Sequence, residues 1–266
     1  MISEFEEQKL AELFLERGHV VLPTENLPGL EKIQKHVADI ASLHLGIKIS
    51  GTPIDFLNHI HKIIAVNELN AMRLAVFNGL NSQPWFQSTY FSLARSALES
   101  LVGNELCIQR KVNLSVQLPG DDSSLLPVHS DVWDGDSPFE VVLWVPMVDC
   151  AKTKAMYLMP PEKDRIVQRD LEKFNKSSAE DIFLSIADDV VFTGVKFGEI
   201  MIFSQTLMHG NRVNQESETR WSMNCRFKSV MSPYADKKFG EFFEPIKLRA
   251  ATRLGLDYKL PGGFNG

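Results

Sequence analysis

A histidine and an aspartate lie two positions apart in the segment PVHSDVW, as His129 and Asp131. Alternate residues of an extended chain project to one side, so this imidazole and this carboxylate are expected to face a common point. Taken alone, the pair favours a solvated loop, because such pairs often occur by chance. A second imidazole, His209, follows an apolar, strand-like run much later in the chain. Two imidazoles and one carboxylate suit ferrous iron and leave three coordination positions open, whereas structural zinc sites fill four and usually use thiolates.

A candidate anion-binding strand follows His209. The segment NQESET predicts a hairpin turn, and the strand after it alternates apolar side chains with the polar residues Arg220, Ser222, Asn224 and Arg226. If the polar face points inward, a guanidinium and a hydroxyl approach the metal ligands and can bind a carboxylate in a two-pronged fashion. In the alternative the apolar face points inward and the arginines are solvated. The pairing of this strand with His209 favours the first arrangement.

The elements that must position these residues change in kind near residue 105. Before it, apolar residues recur at three- and four-residue intervals, which predicts helices over residues 4–16, 30–45, 56–77 and 91–102. After it, short β-rich runs alternate with turn residues and predict strands, interrupted by a charged, partly helical insertion over residues 164–187. Strands at this spacing favour a sandwich or barrel with one sheet face covered by helices.

We therefore expect a single domain over residues 1–266. It has a mostly helical N-terminal layer over 1–104, a β-barrel-like core over 105–230 and a C-terminal extension over 231–266.

The ordered motifs resemble those of the iron(II)- and 2-oxoglutarate-dependent dioxygenases, in the phytanoyl-CoA dioxygenase-like branch. The matching segments are HSD at 129–131, GEIMIF at 198–203, His209, and RWS at 220–222. The resemblance implies an all-β core with helical elaboration, namely a double-stranded β-helix of the jelly-roll, cupin-like type. It also implies Fe(II) as the metal and 2-oxoglutarate as co-substrate.

The resemblance further implies a role for each matching side chain. His129, Asp131 and His209 would bind the iron, and Arg220 with Ser222 would hold the distal carboxylate of 2-oxoglutarate. Trp144 and, more loosely, Gln117 match positions that line the co-substrate pocket, although Trp144 also fits a plain core position. Asn224 and Arg226 either meet a polar or anionic substrate or form internal pairs.

The sequence also departs from this branch. The segment KAMYLMPPEK at 154–163 lacks the glycine and the Ser-His pair common near the pocket mouth of relatives, so an acyl-CoA substrate is not carried over. Asp131 is retained, whereas halogenating relatives lack this carboxylate, which implies hydroxylation or a related oxidation of a C–H bond with O2. Residues 129–150 also resemble bacterial oxygenases encoded among genes for surface-carbohydrate synthesis, which implies a carbohydrate or a precursor as the small-molecule substrate.

Composition excludes several other classes. The 266 residues carry a net charge of −6 with no run of Lys and Arg, so a nucleic-acid partner is not expected. No apolar run has the roughly 18 residues that a membrane span needs. The acidic N-terminus does not resemble a secretory signal, and three scattered cysteines suggest no disulfide framework, so a reducing, cytoplasmic location is expected.

Other sites and functions stay open at this point. Asp55, His59 and His61 form a second possible metal cluster, although their helical context favours a plain surface position. A metal-dependent, cupin-type lyase or isomerase would keep two histidines and an aspartate without needing Arg220 and Ser222. A catalytically silent binding scaffold would keep only the barrel. Oligomeric state is not predicted.

Overall fold

The computed structural model describes residues 4–175 and 177–262. Their α-helices are α1 (Glu4–Arg17), α2 (Leu27–Leu45), α3 (Pro53–His59), α4 (Val66–Asn81), α5 (Phe86–Ser92), α6 (Arg95–Val102), α7 (Pro161–Arg169), α8 (Ala179–Ile186) and α9 (Ala250–Asp257). Their strands are β1 (His19–Pro23), β2 (Leu106–Gln109), β3 (Asn113–Gln117), β4 (Glu140–Pro146), β5 (Tyr157–Leu158), β6 (Val191–Phe192), β7 (Glu199–Ser204), β8 (His209–Gly210), β9 (Arg220–Ser229) and β10 (Phe243–Lys247).

Two antiparallel sheets form the β core. The larger has the order β1-β7-β4-β9-β2-β10, with β3 pairing the first half of β9, and the smaller has the order β6-β5-β8. Strand β9 is therefore a central element, because it pairs β4 along one edge and β3 then β2 along the other. This confirms the predicted all-β, jelly-roll core with helical elaboration.

The helical layer packs on the outer face of the larger sheet. Strand β4 is buried along its whole length, as its apolar sequence EVVLWVP predicts. Helix α2 buries residues at three- and four-residue intervals, among them Leu30, Ile33 and Val37. One continuous apolar cluster joins these helices to the larger sheet. The helices predicted over residues 4–16 and 30–45 are confirmed as α1 and α2.

The larger sheet also takes strands from outside residues 105–230. Strand β1 lies among the N-terminal helices and pairs β7 at one edge, and β10 lies in the C-terminal extension and pairs β2 at the other. Both have five residues, too few to show a periodicity against the neighbouring segments.

Two predicted elements are divided. The helix over 56–77 is broken between α3 and α4 by a short 3₁₀ turn, and the helix over 91–102 is broken between α5 and α6. Among the described residues, no helix is both long and apolar enough to cross a membrane.

Candidate metal centre

The three candidate metal ligands come together through backbone pairing of two distant segments. The amide of His129 donates to the carbonyl of His209 at 3.0 Å, and the amide of His209 donates back at 2.8 Å. The amide of Asp131 donates to the carbonyl of Gln205 at 3.1 Å. One potential ligand atom from each of His129, Asp131 and His209 lies within 4.8 Å of the others. This clustering is the one that the sequence predicted.

Both imidazoles are oriented by their own backbone. The Nδ1–H of His129 donates to the carbonyl of Pro127, and that of His209 to the carbonyl of Leu207, each at 2.8 Å. These bonds leave the lone pair on each Nε2 free. Nε2 of His129 lies 3.5 Å from Oδ1 of Asp131, and Nε2 of His209 lies 3.9 Å from the same oxygen. Second hydrogen bonds of this kind fix the tautomer of metal-binding histidines. The three side chains therefore fit a divalent metal ion.

Electrostatics favour the ligand forms of Asp131 and His209. Burial lowers the pKa of His209 to about 4, and the charge of His129 adds to this, so the ring is neutral at neutral pH. Burial alone would raise the pKa of Asp131, but its hydrogen bond with His129 and the nearby cationic groups outweigh burial and hold it well below its usual range. For His129, burial is outweighed by the contact with Asp131, which raises the pKa. His129 therefore holds a proton more tightly than His209 does. A metal ion that binds here has to displace that proton from His129.

The segment that carries His209 is supported from outside the sheet. Helix α7 begins at Pro161, and Oδ1 of Asp164 accepts from the amide of Met208 at 2.8 Å. Gly210 is needed directly after His209, because a Cβ there would lie 2.6 Å from Oη of Tyr157 and 2.9 Å from the carbonyl of Leu126. The insertion between the strands thus helps to position a candidate ligand.

A cavity of about 510 Å³ opens beside the triad. The four polar residues of β9 named above, Arg220, Ser222, Asn224 and Arg226, all line it. Trp221, on the opposite face of β9, is buried and donates from Nε1 to the carbonyl of Leu57 in the helical layer, at 2.9 Å. The polar face of β9 therefore points inward, which is the orientation that the pairing of this strand with His209 favoured.

Arg220 is buried without an acidic partner. Only 3% of the residue is exposed, and its Nη2 donates to Oγ of Ser115 at 2.8 Å. Within the described part of the chain, its Nε has no hydrogen-bond partner and no carboxylate lies within ion-pair distance of its guanidinium. Burial lowers its pKa to about 10, so the group stays charged at neutral pH. A buried, unpaired cation on a cavity wall is costly to the protein alone and is satisfied by an anionic ligand.

The remaining predicted side chains differ in position. Trp144 is buried and lines the cavity, opposite Asn224 in the register of β4 and β9. Gln117 lies opposite Arg220 in the register of β3 and β9, but its amide donates to the carbonyl of Arg212 at 2.7 Å and it is not among the lining residues. Whether either binds the co-substrate stays a prediction.

Among the lining residues that the sequence analysis did not predict, two polar ones lie on β3. Asn113 and Ser115 lie on the inward face of β3, and Nδ2 of Asn113 donates to Oδ1 of Asn224 at 3.0 Å. The alternation of polar and apolar residues in NLSVQ carries the same signal as the alternation in β9. Read together, the two patterns indicate a pair of strands with one shared polar face.

The structure does not assemble a second cluster at Asp55. His59 bonds through Nδ1 to the carbonyl of Asp55 at 2.9 Å, and Nδ1 of His61 lies 3.0 Å from Oγ1 of Thr219. Over residues 4–175 and 177–262, His129, Asp131 and His209 are the one group of three or more such ligands close enough to share a metal.

Comparison with solved structures shows that this fold is known. The chain is similar to the nickel complex of the non-heme monooxygenase ThoJ, with a TM-score of 0.57, 16% identity, and 90% of this chain and 84% of that chain covered. It is similar to SnoK, a non-heme α-ketoglutarate-dependent carbocyclase of nogalamycin biosynthesis, with a TM-score of 0.54, 14% identity, and 92% and 97% covered.

A third similar structure is HygX from Streptomyces hygroscopicus, bound to nickel and 2-oxoglutarate, with a TM-score of 0.52, 12% identity, and 90% and 91% covered. No family model matches the sequence. No curated protein matches it either. At these identities the likeness establishes the fold, and the function must be argued from the site.

Proposed function

We propose that this protein is an Fe(II)- and 2-oxoglutarate-dependent oxygenase that oxidises a C–H bond of a small molecule. The observation that carries the proposal is Arg220, a buried guanidinium without an acidic partner, on the wall of the cavity that also holds the triad. A metal-dependent lyase or isomerase needs the triad but has no need of this cation. A dicarboxylate co-substrate needs both, because one end binds the metal and the other end requires a counter-ion.

His129, Asp131 and His209 would hold the iron. Two imidazoles and one carboxylate are the ligand set of non-heme iron oxygenases that leave positions open for small molecules. When bound, the iron and 2-oxoglutarate supply the oxidative decarboxylation that activates O2 for attack on the substrate. The protein keeps the imidazoles turned toward the metal through Pro127 and Leu207.

Arg220 and Ser222 would bind the distal carboxylate of 2-oxoglutarate. The guanidinium already donates to Ser115, which leaves Nε and the rest of the fork for a two-pronged contact with a carboxylate. Trp144 borders the same cavity and would exclude water from the co-substrate. Among the similar structures, HygX holds nickel and 2-oxoglutarate, which supports the proposed pairing of a metal with this co-substrate.

The substrate we propose is a polar small molecule such as a carbohydrate or its precursor. The cavity wall offers neutral amides from Asn113, Asn211 and Asn224, and Asp134 lies exposed at its edge. Asn113 bonds to Asn224, and Asn211 accepts from the amide of Leu126. The remaining donors and acceptors of these amides suit hydroxyl groups, whereas an acyl chain would not use them. Membership of the phytanoyl-CoA dioxygenase-like branch is part of the proposal and rests on the motifs.

The test is anaerobic addition of Fe(II) and 2-oxoglutarate, monitored by the weak visible charge-transfer absorption of the iron chelate. The wild-type protein should show the band, and His209→Ala should abolish it. Arg220→Ala should raise the 2-oxoglutarate concentration at which the band reaches half of its maximal absorption. The matched control is Arg95→Ala, which removes an exposed arginine of α6 that does not line this cavity.

The outcomes separate the candidate functions. A folded wild-type protein that binds metal but gives no band at saturating 2-oxoglutarate contradicts the oxygenase assignment and favours a lyase or isomerase. A folded protein that binds no divalent metal favours the scaffold. A band with equal 2-oxoglutarate dependence in Arg220→Ala and Arg95→Ala contradicts the role given to Arg220.

A further inference from the structure

We propose that Asp136 and Lys237 are positioning residues for Asp131 and act on it through Arg226. The inference rests on the proposed function, because it requires Asp131 to bind a metal. It assigns a site role to two residues outside the cavity, one of them in the C-terminal extension.

The four side chains form a row of alternating charge. Nη2 of Arg226 lies 2.9 Å from Oδ1 of Asp131. Its Nε lies 3.1 Å from Oδ1 of Asp136, an ion pair without hydrogen-bond geometry. Nζ of Lys237 makes a close ion pair with the other carboxylate oxygen of Asp136. The row therefore runs from the metal ligand on the cavity wall, through β9, to the segment that leads into β10.

Burial makes these pairs obligatory. The side chain of Asp136 has no exposed surface, and those of Asp131 and Arg226 are 8% and 14% exposed. A buried carboxylate is costly unless cations and donors compensate it, so Asp136 depends on Arg226 and Lys237. The backbone ties the same parts together, since the amide of Asp236 donates to the carbonyl of Gly135 at 3.1 Å.

The contact of Arg226 falls on the oxygen that faces the candidate metal position. Oδ1 of Asp131 is the atom 3.5 Å and 3.9 Å from the two histidine Nε2 atoms, and the same atom contacts Arg226. If Arg226 contacted no other carboxylate, its guanidinium would compete with a metal ion for this oxygen. Asp136 takes up part of the charge of Arg226 and fixes the guanidinium, and Lys237 holds the other oxygen of Asp136, so that Asp136 keeps the position from which it does so.

This arrangement changes the interpretation of Arg226. A guanidinium held between two carboxylates has little capacity left for an anionic substrate, which supports internal pairing over the substrate role. Asp136 and Lys237 then control how firmly Asp131 is held. Outer partners of metal ligands typically change metal affinity by about 10- to 100-fold when they are altered.

The experiment is a titration of the full-length protein with Co(II) alone, monitored by the visible absorption of the bound ion, followed by 2-oxoglutarate at saturating Co(II). Asp136→Asn should weaken Co(II) binding by about 10-fold or more. Lys237→Met should weaken it less, and Lys237→Arg should restore it. Once Co(II) is saturating, 2-oxoglutarate affinity should change less than twofold, because Arg220 is untouched.

The matched control is Lys238→Met, which removes the same charge one position later from a lysine whose Nζ donates to the carbonyl of Ala235. It should bind Co(II) like the wild type. Equal affinity in Lys237→Met, Lys238→Met and wild type overturns the inference and leaves the proposed function intact.

Two further outcomes are decisive. If Asp136→Asn fails to fold, the Lys237 series still tests the inference, and Lys237→Arg must then restore what Lys237→Met loses. If the folded wild-type protein binds no Co(II), the proposed function fails and the inference fails with it.

Discussion

At the scale of single residues, Arg220 shows a conflict between stability and ligand binding. A buried guanidinium with an unpaired Nε lowers the stability of the ligand-free protein, since it is desolvated without a counter-ion. Replacing it by a hydrophobic side chain of similar length should remove this cost. We therefore expect Arg220→Met to stabilise the ligand-free protein by about 1–3 kcal/mol.

The measurement is thermal unfolding with and without 2-oxoglutarate in the presence of Co(II). Wild-type protein should be stabilised by the co-substrate, whereas Arg220→Met should begin with a higher midpoint and gain almost nothing. If Arg220→Met were less stable than the wild type without 2-oxoglutarate, Arg220 would instead stabilise the fold through contacts within the protein.

Glu140 is a second buried charge at this scale, and it lies away from the cavity lining. Its carboxylate accepts from the amide of Ser137 and from Nε2 of Gln205, and burial raises its pKa to about 7. Because the folded-state pKa lies above the unfolded-state value, its stabilising contribution is complete below the unfolded value and is lost as pH rises through 7.

Glu140→Gln removes this titration. As pH rises from 5 to 8, the unfolding free energy of the wild type should fall by about 1–3 kcal/mol relative to that of Glu140→Gln. Urea unfolding at both pH values measures it, and Glu241→Gln, at an exposed position, is the control. A difference that does not depend on pH would contradict the raised pKa.

At the scale of elements, the helical layer is attached to the sheet by side chains that bond to strand and loop carbonyls. Oη of Tyr90 donates to the carbonyl of Leu143 at 2.8 Å, and Nε2 of Gln34 donates to the carbonyl of Met147 at 2.6 Å. Both donors are buried, so each bond replaces one with water. These contacts fix the sheet's outer face while its inner face forms the cavity.

Tyr90→Phe should therefore destabilise the protein by about 1–2 kcal/mol, because it leaves a buried carbonyl without its donor. Co(II) and 2-oxoglutarate affinities should not change, since Tyr90 lies on the side away from the cavity. Tyr258→Phe is the matched control, because that tyrosine is 67% exposed. Chemical unfolding of both variants makes the comparison, and equal midpoints would contradict the role of this bond.

At the scale of the whole molecule, the C-terminal extension completes both the sheet and the metal centre. Strand β10 pairs β2, its Phe243 is fully buried, and Lys237 before it contacts Asp136. Helix α9, in contrast, buries no side chain. The extension therefore contains an essential part and a dispensable part.

Two shortened chains test this division. A chain ending at residue 249 should unfold within about 1 kcal/mol of the full chain and bind Co(II) normally, because α9 buries no side chain. A chain ending at residue 230 should fail to fold cooperatively, since it exposes the edge of β2 and loses a buried aromatic residue. Circular dichroism melts and Co(II) titration distinguish them, and a stable short chain would contradict the role of β10.

The amino-acid sequence by itself determined the candidate metal ligands and the alternation of polar and apolar side chains along β9. His129 and Asp131 share one side of an extended segment, and the alternation from Arg220 to Arg226 is a local property of the strand. The helices α1 and α2 were also predictable, because each is long enough to show an apolar period. Such features depend on residues close together in the chain.

Only the tertiary structure decided which face of β9 points inward, where Gln117 binds, and what Arg226 contacts. Trp221 is directed to the helical layer by a bond to Leu57, a residue distant in sequence. Strands β1 and β10 also could not be predicted from the local sequence, since each is stabilised by pairing with a strand distant in the chain, β7 and β2 respectively. The row of charges from Asp131 to Lys237 forms only where two distant chain segments meet. Its ion pairs are necessary because the carboxylate of Asp136 is buried, and burial cannot be read from a local sequence pattern.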